Sequence, residues 1–382
     1  DSVFLRALDS LIADAYDNID LDSFDKALHS IVSAEKLASS KGRATSMEFA
    51  RCCFVHGVIL DLMEDYENAE KWYLRSNEIV VKVRGKNNRD YARTLSNLAA
   101  LYNNMGFVEM AEKSYLECSA IREKLLGQQD PDYVLSLDQL AEFYTDIGKY
   151  ENAEKLYLKI LPIREKLNGK QHPDFLYSLL NLAILYHQTA QFKKAEGIYQ
   201  ELLEIQARTL KNGKDHPVYL ENLNRLAILY FDAGEYNKAE PIYLECKERR
   251  KKVLGTKSAD YAVSLNGLAI LYRTMGNIEK AEPLFLEALQ IYKDAHMNET
   301  SGYASALNNL ANMYISIDET ELALPLYQEA LVIYEKTLGK QSEEYNTALS
   351  NLANLYVELN LFDKAEPLLI ETKAMRERNF GK

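Results

Sequence analysis

Three features of the sequence predict an all-α solenoid of about nine helix–turn–helix hairpins. Two ladders of small residues step through the chain by 42, apolar residues around each rung follow a helical period, and a residue tolerant of left-handed backbone separates the paired rungs. The first ladder is Ala99, Ala141, Ala183, Ala227, Ala269, Ala311 and Ala353, continued backwards by Gly57 and Ala15. The second is Ala27, Ala69, Ala111, Ala153, Ala195, Ala239, Ala281, Ala323 and Ala365, twelve residues behind the first. One step, between Ala195 and Ala227, stretches by two residues across both ladders, and the polar run Lys211 to Asp215 is the place to expect the insertion.

Around the first ladder the text reads like Asn181-Leu182-Ala183-Ile184-Leu185-Tyr186, one apolar face of a helix, here called helix A. Around the second it reads like Tyr236-Asn237-Lys238-Ala239-Glu240-Pro241-Ile242-Tyr243-Leu244, again helical and richer in bulky residues, here called helix B. Gly106, Gly148, Gly234 and Gly276, with Asp318 and Asn360 elsewhere, stand where helix A must end. Small residues facing each other let the two helices approach closely, and Tyr102, Tyr115, Tyr144 and Tyr157 fill the wider gaps. A lone hairpin cannot bury its apolar face, so neighbours must stack.

Pro131, Pro173 and Pro217 fall in the turn before helix A. Pro241, Pro283, Pro325 and Pro367 fall near the start of helix B, where an amide has no helical partner to lose. Pro162 lies deeper in its helix B and is expected to kink it.

With 47% apolar and 27% charged residues among 382, the chain can fold throughout. Its 45 Lys and Arg against 57 Asp and Glu leave a formal charge of −12, which opposes binding to a phosphate backbone, so nucleic acid is not an expected partner. No run approaches the roughly 18 apolar residues of a membrane helix, and no basic-then-apolar leader opens the chain. Cys52, Cys53, Cys118 and Cys246 lack CxxC spacing and read as reduced, buried thiols, which fits a cytoplasmic location without excluding others. His29, His56, His172, His187, His216 and His296 are scattered, with His172 and His216 placed to cap a helix or face solvent. Neither HExxH nor a phosphate loop occurs, so no enzyme activity, metal or cofactor is expected of this segment.

The order of Ala, then Tyr three later, Gly, Ala, then Tyr or Phe four later resembles the tetratricopeptide motif. Linkers such as Leu126-Gly127-Gln128-Gln129-Asp130-Pro131 and Asn168-Gly169-Lys170-Gln171-His172-Pro173 make the 42-residue unit similar to the kinesin-light-chain type. Its eight residues beyond the usual unit add about 12 Å of helix if all are helical. The resemblance implies a right-handed superhelix, with residues 1–45 as a degenerate N-terminal capping hairpin and 46–382 as eight repeats. Runs such as Ala239-Glu240-Pro241-Ile242-Tyr243-Leu244-Glu245 also resemble arrays that precede a caspase-like CHAT protease domain in bacterial proteins. Asn379-Phe380-Gly381-Lys382 matches the inter-repeat turn Thr337-Leu338-Gly339-Lys340, and the chain opens on Asp, so a longer, trimmed or processed protein is expected.

The resemblance further implies that helix A faces line a concave groove that holds a protein or peptide segment. Positions three before, one after and five after each first-ladder Ala are expected to share one stripe there. The stripe is Ser96, Ala100 and Asn104 in the third hairpin, then Asp138, Glu142 and Asp146, then Leu180, Ile184 and Gln188. It continues as Asn224, Ile228 and Asp232, as Asn266, Ile270 and Thr274, as Asn308, Asn312 and Ser316, and as Ser350, Asn354 and Glu358. The acidic set suits a basic ligand or is a solvated face. Ile184, Ile228 and Ile270, with Tyr177 and Phe231, form an apolar strip that either faces a groove or is buried between hairpins. Asn97, Asn181, Asn309 and Asn351 could bond a peptide backbone or tie one hairpin to the next. The ladder breaks at Gln139, Arg225 and Gly267, and Arg93, Arg225 and Arg273 are the only bases near the stripe. The expected function is a protein-binding scaffold. The regulatory arm of a larger protease and an architectural module stacking end to end through Leu368, Leu369 and Met375 stand as alternatives.

Overall fold

The computed structural model describes residues 2–40, 42 and 44–380, the side chains of Ser2, Arg376, Arg378, Asn379 and Phe380 excepted. Gly381 and Lys382, half of the terminal match to Thr337–Lys340, lie outside the described residues. The described residues form eighteen α-helices and one short 3-10 turn, with no strand. They group into two compact units that meet in sequence between Thr189 and Ala190.

The first unit contains α1 (Ser2–Asp20), α2 (Phe24–Ser40), α3 (Met47–Leu62), α4 (Tyr66–Arg84), α5 (Arg89–Asn104), α6 (Val108–Leu126), α7 (Pro131–Asp146), α8 (Tyr150–Asn168) and α9 (Pro173–Gln188). The second contains α10 (Phe192–Thr209), α11 (Pro217–Asp232), α12 (Tyr236–Leu254), α13 (Ala259–Thr274), α14 (Ile278–Asp294), α15 (Ser301–Ile315), α16 (Thr320–Leu338), α17 (Glu343–Glu358) and α18 (Phe362–Phe380). Odd-numbered helices are helix A and even-numbered ones helix B, as the ladders require. Within each unit a helix packs chiefly on its sequence neighbours.

Every rung of both Ala ladders is sealed, with exposure no greater than 1%. At the Gly57 rung a Cβ would come within 2.7 Å of the Tyr73 ring, so this close approach requires glycine. The aromatic four residues after each helix B Ala fills the space beside the rungs, as Tyr73, Tyr115, Tyr157, Tyr199, Tyr243, Phe285 and Tyr327, all buried. Leu369 occupies the same register in α18 but is exposed, whereas Met375 is buried. Met375 therefore does not belong to an open end face.

A second set of contacts joins successive hairpins. Tyr102, Tyr144, Tyr186, Tyr230, Tyr272 and Tyr314 on helix A each donate a hydroxyl proton to a glutamate of the preceding helix B, respectively Glu70, Glu112, Glu154, Glu196, Glu240 and Glu282, at 2.7–3.0 Å. Arginine closes the other end. Arg122, Arg164 and Arg250 near the end of helix B donate to the backbone carbonyls of Asp132, Asp174 and Asp260 in the first turn of the next helix A, at 2.8–3.1 Å.

Side chains cap the helix A starts from α3 onward. Ser46, Asn88, Asp130, Ser258, Thr300 and Ser342 accept from first-turn amides. His172 and His216 do so through Nδ1, which answers their two sequence readings in favour of capping. The insertion lies in the predicted turn, where Asn212 is left-handed and Gly213–Asp215 form the 3-10 turn. Asp215 there pairs with Arg249 at 2.7 Å and Lys252 at 2.8 Å.

One expectation about proline fails. Pro241 is the sixth residue of α12, past the first turn, so it does remove a helical bond, the one its amide would have made to the Asn237 carbonyl. Pro162 lies inside α8, which runs unbroken from Tyr150 to Asn168.

The helix A to helix B turn uses positive φ at Gly106 (76°) but also at Glu64 (61°), where a side chain is strained. Glu64→Gly is expected to stabilise the chain by about 1 kcal/mol and Gly106→Ala to destabilise it by about as much, as read by urea unfolding. Tyr144→Phe, which removes a donor to Glu112 without opening a cavity, is expected to cost about 1 kcal/mol in the same assay.

Candidate functional site

Three residues spaced by four do not stay on one line of a helix, because eight residues at 100° each overshoot two turns by about 80°. The stripe expected on helix A therefore splits. Its first column turns toward a neighbouring hairpin, with Ser96, Asp138, Asn224 and Asn308 buried and Asn266 partly so. The middle column, with Glu142, Ile184, Ile270 and Asn312 half-buried and Ile228 and Asn354 exposed, and the last column, with Asn104 and Asp146 exposed, face outward.

Asp138 is the clearest correction to the expected acidic face. It is 2% exposed, ion-paired to Arg164 of α8, and accepts from Ser178 Oγ of α9 at 3.0 Å. Arg164 also donates to Ser178. Only Glu142 and Asp146 of that set are open to a ligand. Glu142 is already a local hub, accepting from the Tyr177 hydroxyl at 2.6 Å and from Asn181 Nδ2 at 3.2 Å. The Tyr177 ring is half exposed, and its hydroxyl pKa is raised first by the bond to Glu142 and then by burial. Partial burial raises the Asp146 carboxyl, while Asn103 opposes the shift.

The asparagines tie side chains of the array together. Asn97 donates to Tyr73 Oη at 3.2 Å, and Asn309 reaches Asn266 Oδ1 at 3.5 Å. Asn351 donates to Asn308 at 3.2 Å and to Asn312 at 3.4 Å, and Asn312 also accepts from Tyr327 at 2.5 Å. In the second unit Phe231 is half-buried, its ring 5.7 Å from that of Tyr236.

Several residues near these faces escaped the sequence reading. Arg164 lies on helix B, outside the stripe. Leu135, exposed on α7, shares the register of Tyr177 one hairpin later. Arg51 and Arg93 precede them in that register, and a cavity of about 580 Å³ there is lined by Leu5, Asp9, Arg51, Ser76, Arg84 and Arg93 among others. Arg51 pairs with Asp9 at 2.7 Å, and Arg93 lies 4.1 Å from the centre of the Phe54 ring. Of this column the sequence reading held Arg93 and Tyr177; the 42-residue step, taken six residues before each Ala, adds Arg51 and Leu135.

Among the described residues no three His, Cys, Asp or Glu side chains converge as metal ligands would. All four cysteines are buried, and burial pushes the Cys52, Cys53 and Cys246 thiols up to about 12, where they are poor nucleophiles. His56 is enclosed by Glu35 at 2.6 Å and the Trp72 ring at 4.2 Å.

The tetratricopeptide repeat family model matches residues 56–124, 132–208, 218–294 and 302–378, well over half of the chain. The chain belongs to the tetratricopeptide repeat family. Among solved structures, this tetratricopeptide array is similar to the nearly identical TPR-like repeats of a Podosopora anserina protein assigned as a kinesin light chain, at 26% identity over 53% of this chain and 95% of that one, with TM-score 0.48. It is also similar to the apo quorum sensor NprR of B. thuringiensis, at 14% identity over 94% and 99% of the two chains, with TM-score 0.58. The apo form of RapI matches at 17% identity over 75% and 98%, with TM-score 0.51. Comparison with curated proteins returns no match. None of the described helices is long and apolar enough to cross a membrane.

Burial raises the Asp138 carboxyl from 3.8 to about 6 despite the opposing Arg164. The folded tetratricopeptide array thus holds this proton more tightly than the unfolded chain, so the group favours folding below about pH 4 and costs stability above about pH 6. The stability of the wild type minus that of Asp138→Asn is therefore expected to fall by on the order of 2 kcal/mol between pH 4 and pH 7. Urea unfolding across that range checks it, and a flat difference would contradict it.

Proposed function

We propose that this tetratricopeptide array is a non-catalytic binding module for a segment of another protein, held on the outward columns of helix A. The observation that carries the reading is the Glu142 hub. A half-exposed Tyr177 ring is fixed by its hydroxyl, with exposed Leu135 in the same register on α7 and exposed Asp146 one turn beyond Glu142. A rigid aromatic beside open carboxylates suits a segment that joins an apolar side chain to a basic one. In the second unit, Ile228, Ile270 and the half-buried Phe231 offer apolar contact, with Asn354 exposed farther along the repeats. Membership of a family whose fold generally serves protein interaction supports the same reading.

Basic-apolar peptides selected from a synthetic array and measured by fluorescence anisotropy should bind the wild-type chain. They should lose about tenfold in affinity to the Glu142→Gln/Asp146→Asn variant, or about 1.4 kcal/mol, and more to Tyr177→Ser. Unchanged affinity in the first variant removes the basic-ligand clause, and unchanged affinity in both removes this face as the binding surface.

A further inference from the structure

The sequence places three bases near the helix A stripe, and two of them are answered in the folded chain. Arg93 pairs with Asp90 at 3.6 Å and lies on the Phe54 ring, and Arg225 pairs with Glu221 at 3.3 Å. Arg273 of α13 is half-buried, yet among the described residues no carboxylate comes within ion-pair distance of it and no acceptor takes a hydrogen bond from it. Partial burial holds its guanidinium below the usual arginine range, and the group that opposes the shift is the Tyr327 hydroxyl of α16. A cation withdrawn from water without a partner is costly. It is the more notable in a chain whose 57 acids outnumber its 45 Lys and Arg.

Register shows why no partner comes from the array. In the first unit Asn103, four past Ala99, bonds the Asp146 carboxylate, five past the next ladder Ala. Arg273 is four past Ala269, and the residue five past the next Ala is Ser316, which gives its hydroxyl to the Met313 carbonyl at 2.6 Å. Asp61, in the register of Arg273, meets the Tyr73 hydroxyl at 3.3 Å, and Phe285 stands where that tyrosine would be. Glu358 of α17 acts on the Tyr327 hydroxyl too, without reaching Arg273. Beside Arg273 the surface of α13 is apolar. Val263 is 39% exposed and Ile270, seven residues on and so along the same line, is half-buried one turn from the arginine. Helix α15, which packs directly on α13, places Ser305, Asn312 and Ser316 in the corresponding registers, none of them charged.

We propose that the α13–α15 face receives an acidic side chain of a bound protein segment on Arg273, with a neighbouring apolar side chain of that segment against Val263 and Ile270. This rests on the binding-module reading above and adds the ligand chemistry of the second unit, opposite in sign to that of the Glu142 hub. A carboxylate is the anion that an unmodified protein segment carries within its sequence, and a guanidinium fork takes it through two parallel N–H bonds. The half-desolvated setting strengthens that pair beyond what open surface allows. With no acid in these registers of α13 or α15, no like charge repels the incoming group.

The test is a synthetic peptide array with both chain ends blocked, in which one Glu is set at each short spacing from a Leu, so that the side chain is the sole carboxylate. By fluorescence anisotropy the best of these peptides should bind the wild-type chain about tenfold tighter than its Glu→Gln counterpart, and Arg273→Gln should abolish the difference. Urea unfolding of the free chain should show Arg273→Met at least as stable as the wild type, because the variant keeps the apolar stem and removes a charge that the fold leaves unpaired. A lower midpoint would assign Arg273 to the fold and overturn the proposal. Equal binding of the two peptides, or a preference for Glu that survives Arg273→Gln, would also overturn it. If the basic-apolar peptides bind and the acidic ones do not, this inference fails and the module reading stands; if neither class binds, both fail.

Discussion

The close approach of helix A to helix B, permitted by side chains no larger than a methyl, is the constraint on which the rest of the molecule depends. Both Ala ladders are sealed from solvent, and the Gly57 rung shows how little room there is, since even a Cβ would strike the Tyr73 ring. With the rungs in contact, the larger aromatics have one place to go, beside the rungs and against the following hairpin. Their stacking makes each hairpin's core a shared one, which is the nearest-neighbour energetics of repeat proteins.

Polar chemistry follows from that packing. Tyr102 and its equivalents emerge beside the glutamates of the previous helix B, so a hydroxyl half-withdrawn from water meets a carboxylate. The hydroxyls of Tyr144, Tyr186, Tyr272 and Tyr314 are pushed up to about 12, chiefly by burial and then by the glutamate each one bonds. Arg164 and Arg250 cross the same junction at the opposite end. Arg164 meets a buried acid in Asp138, whereas Arg250 meets the more exposed Glu221 at 3.2 Å. One junction in the first unit thus carries a desolvated charge pair, and burial outweighs the arginine in setting the Asp138 carboxyl.

Stacking also decides which residues are left for recognition. The helix A column three before each Ala is largely consumed by the neighbouring hairpin, and the asparagines two before it bond within the array. What stays open on helix A includes the columns one and five after the Ala and the register of Leu135 and Tyr177. Residues in these columns differ from repeat to repeat, where a change of residue alters a surface without disturbing the stack.

The sequence alone determined the hairpin count, the place of the insertion at Lys211–Asp215, the helix A breaks at Gly106 and its equivalents, and the family, because each rests on local periodicity or on backbone conformation at a single residue. It also narrowed the polar candidates to helix A. It could not assign direction to side chains four apart, since the 80° drift over eight residues sends Asp138 to a hairpin junction and Asp146 to solvent, and only packed neighbours reveal which. The asparagines were ambiguous for a related reason: an amide can serve a ligand or a neighbour equally well, and only the folded chain shows which neighbours lie within its reach. Arg164 and the Tyr–Glu bonds were invisible for want of a local signature, because their partners lie 26 to 34 residues away in the chain and meet only once the hairpins stack.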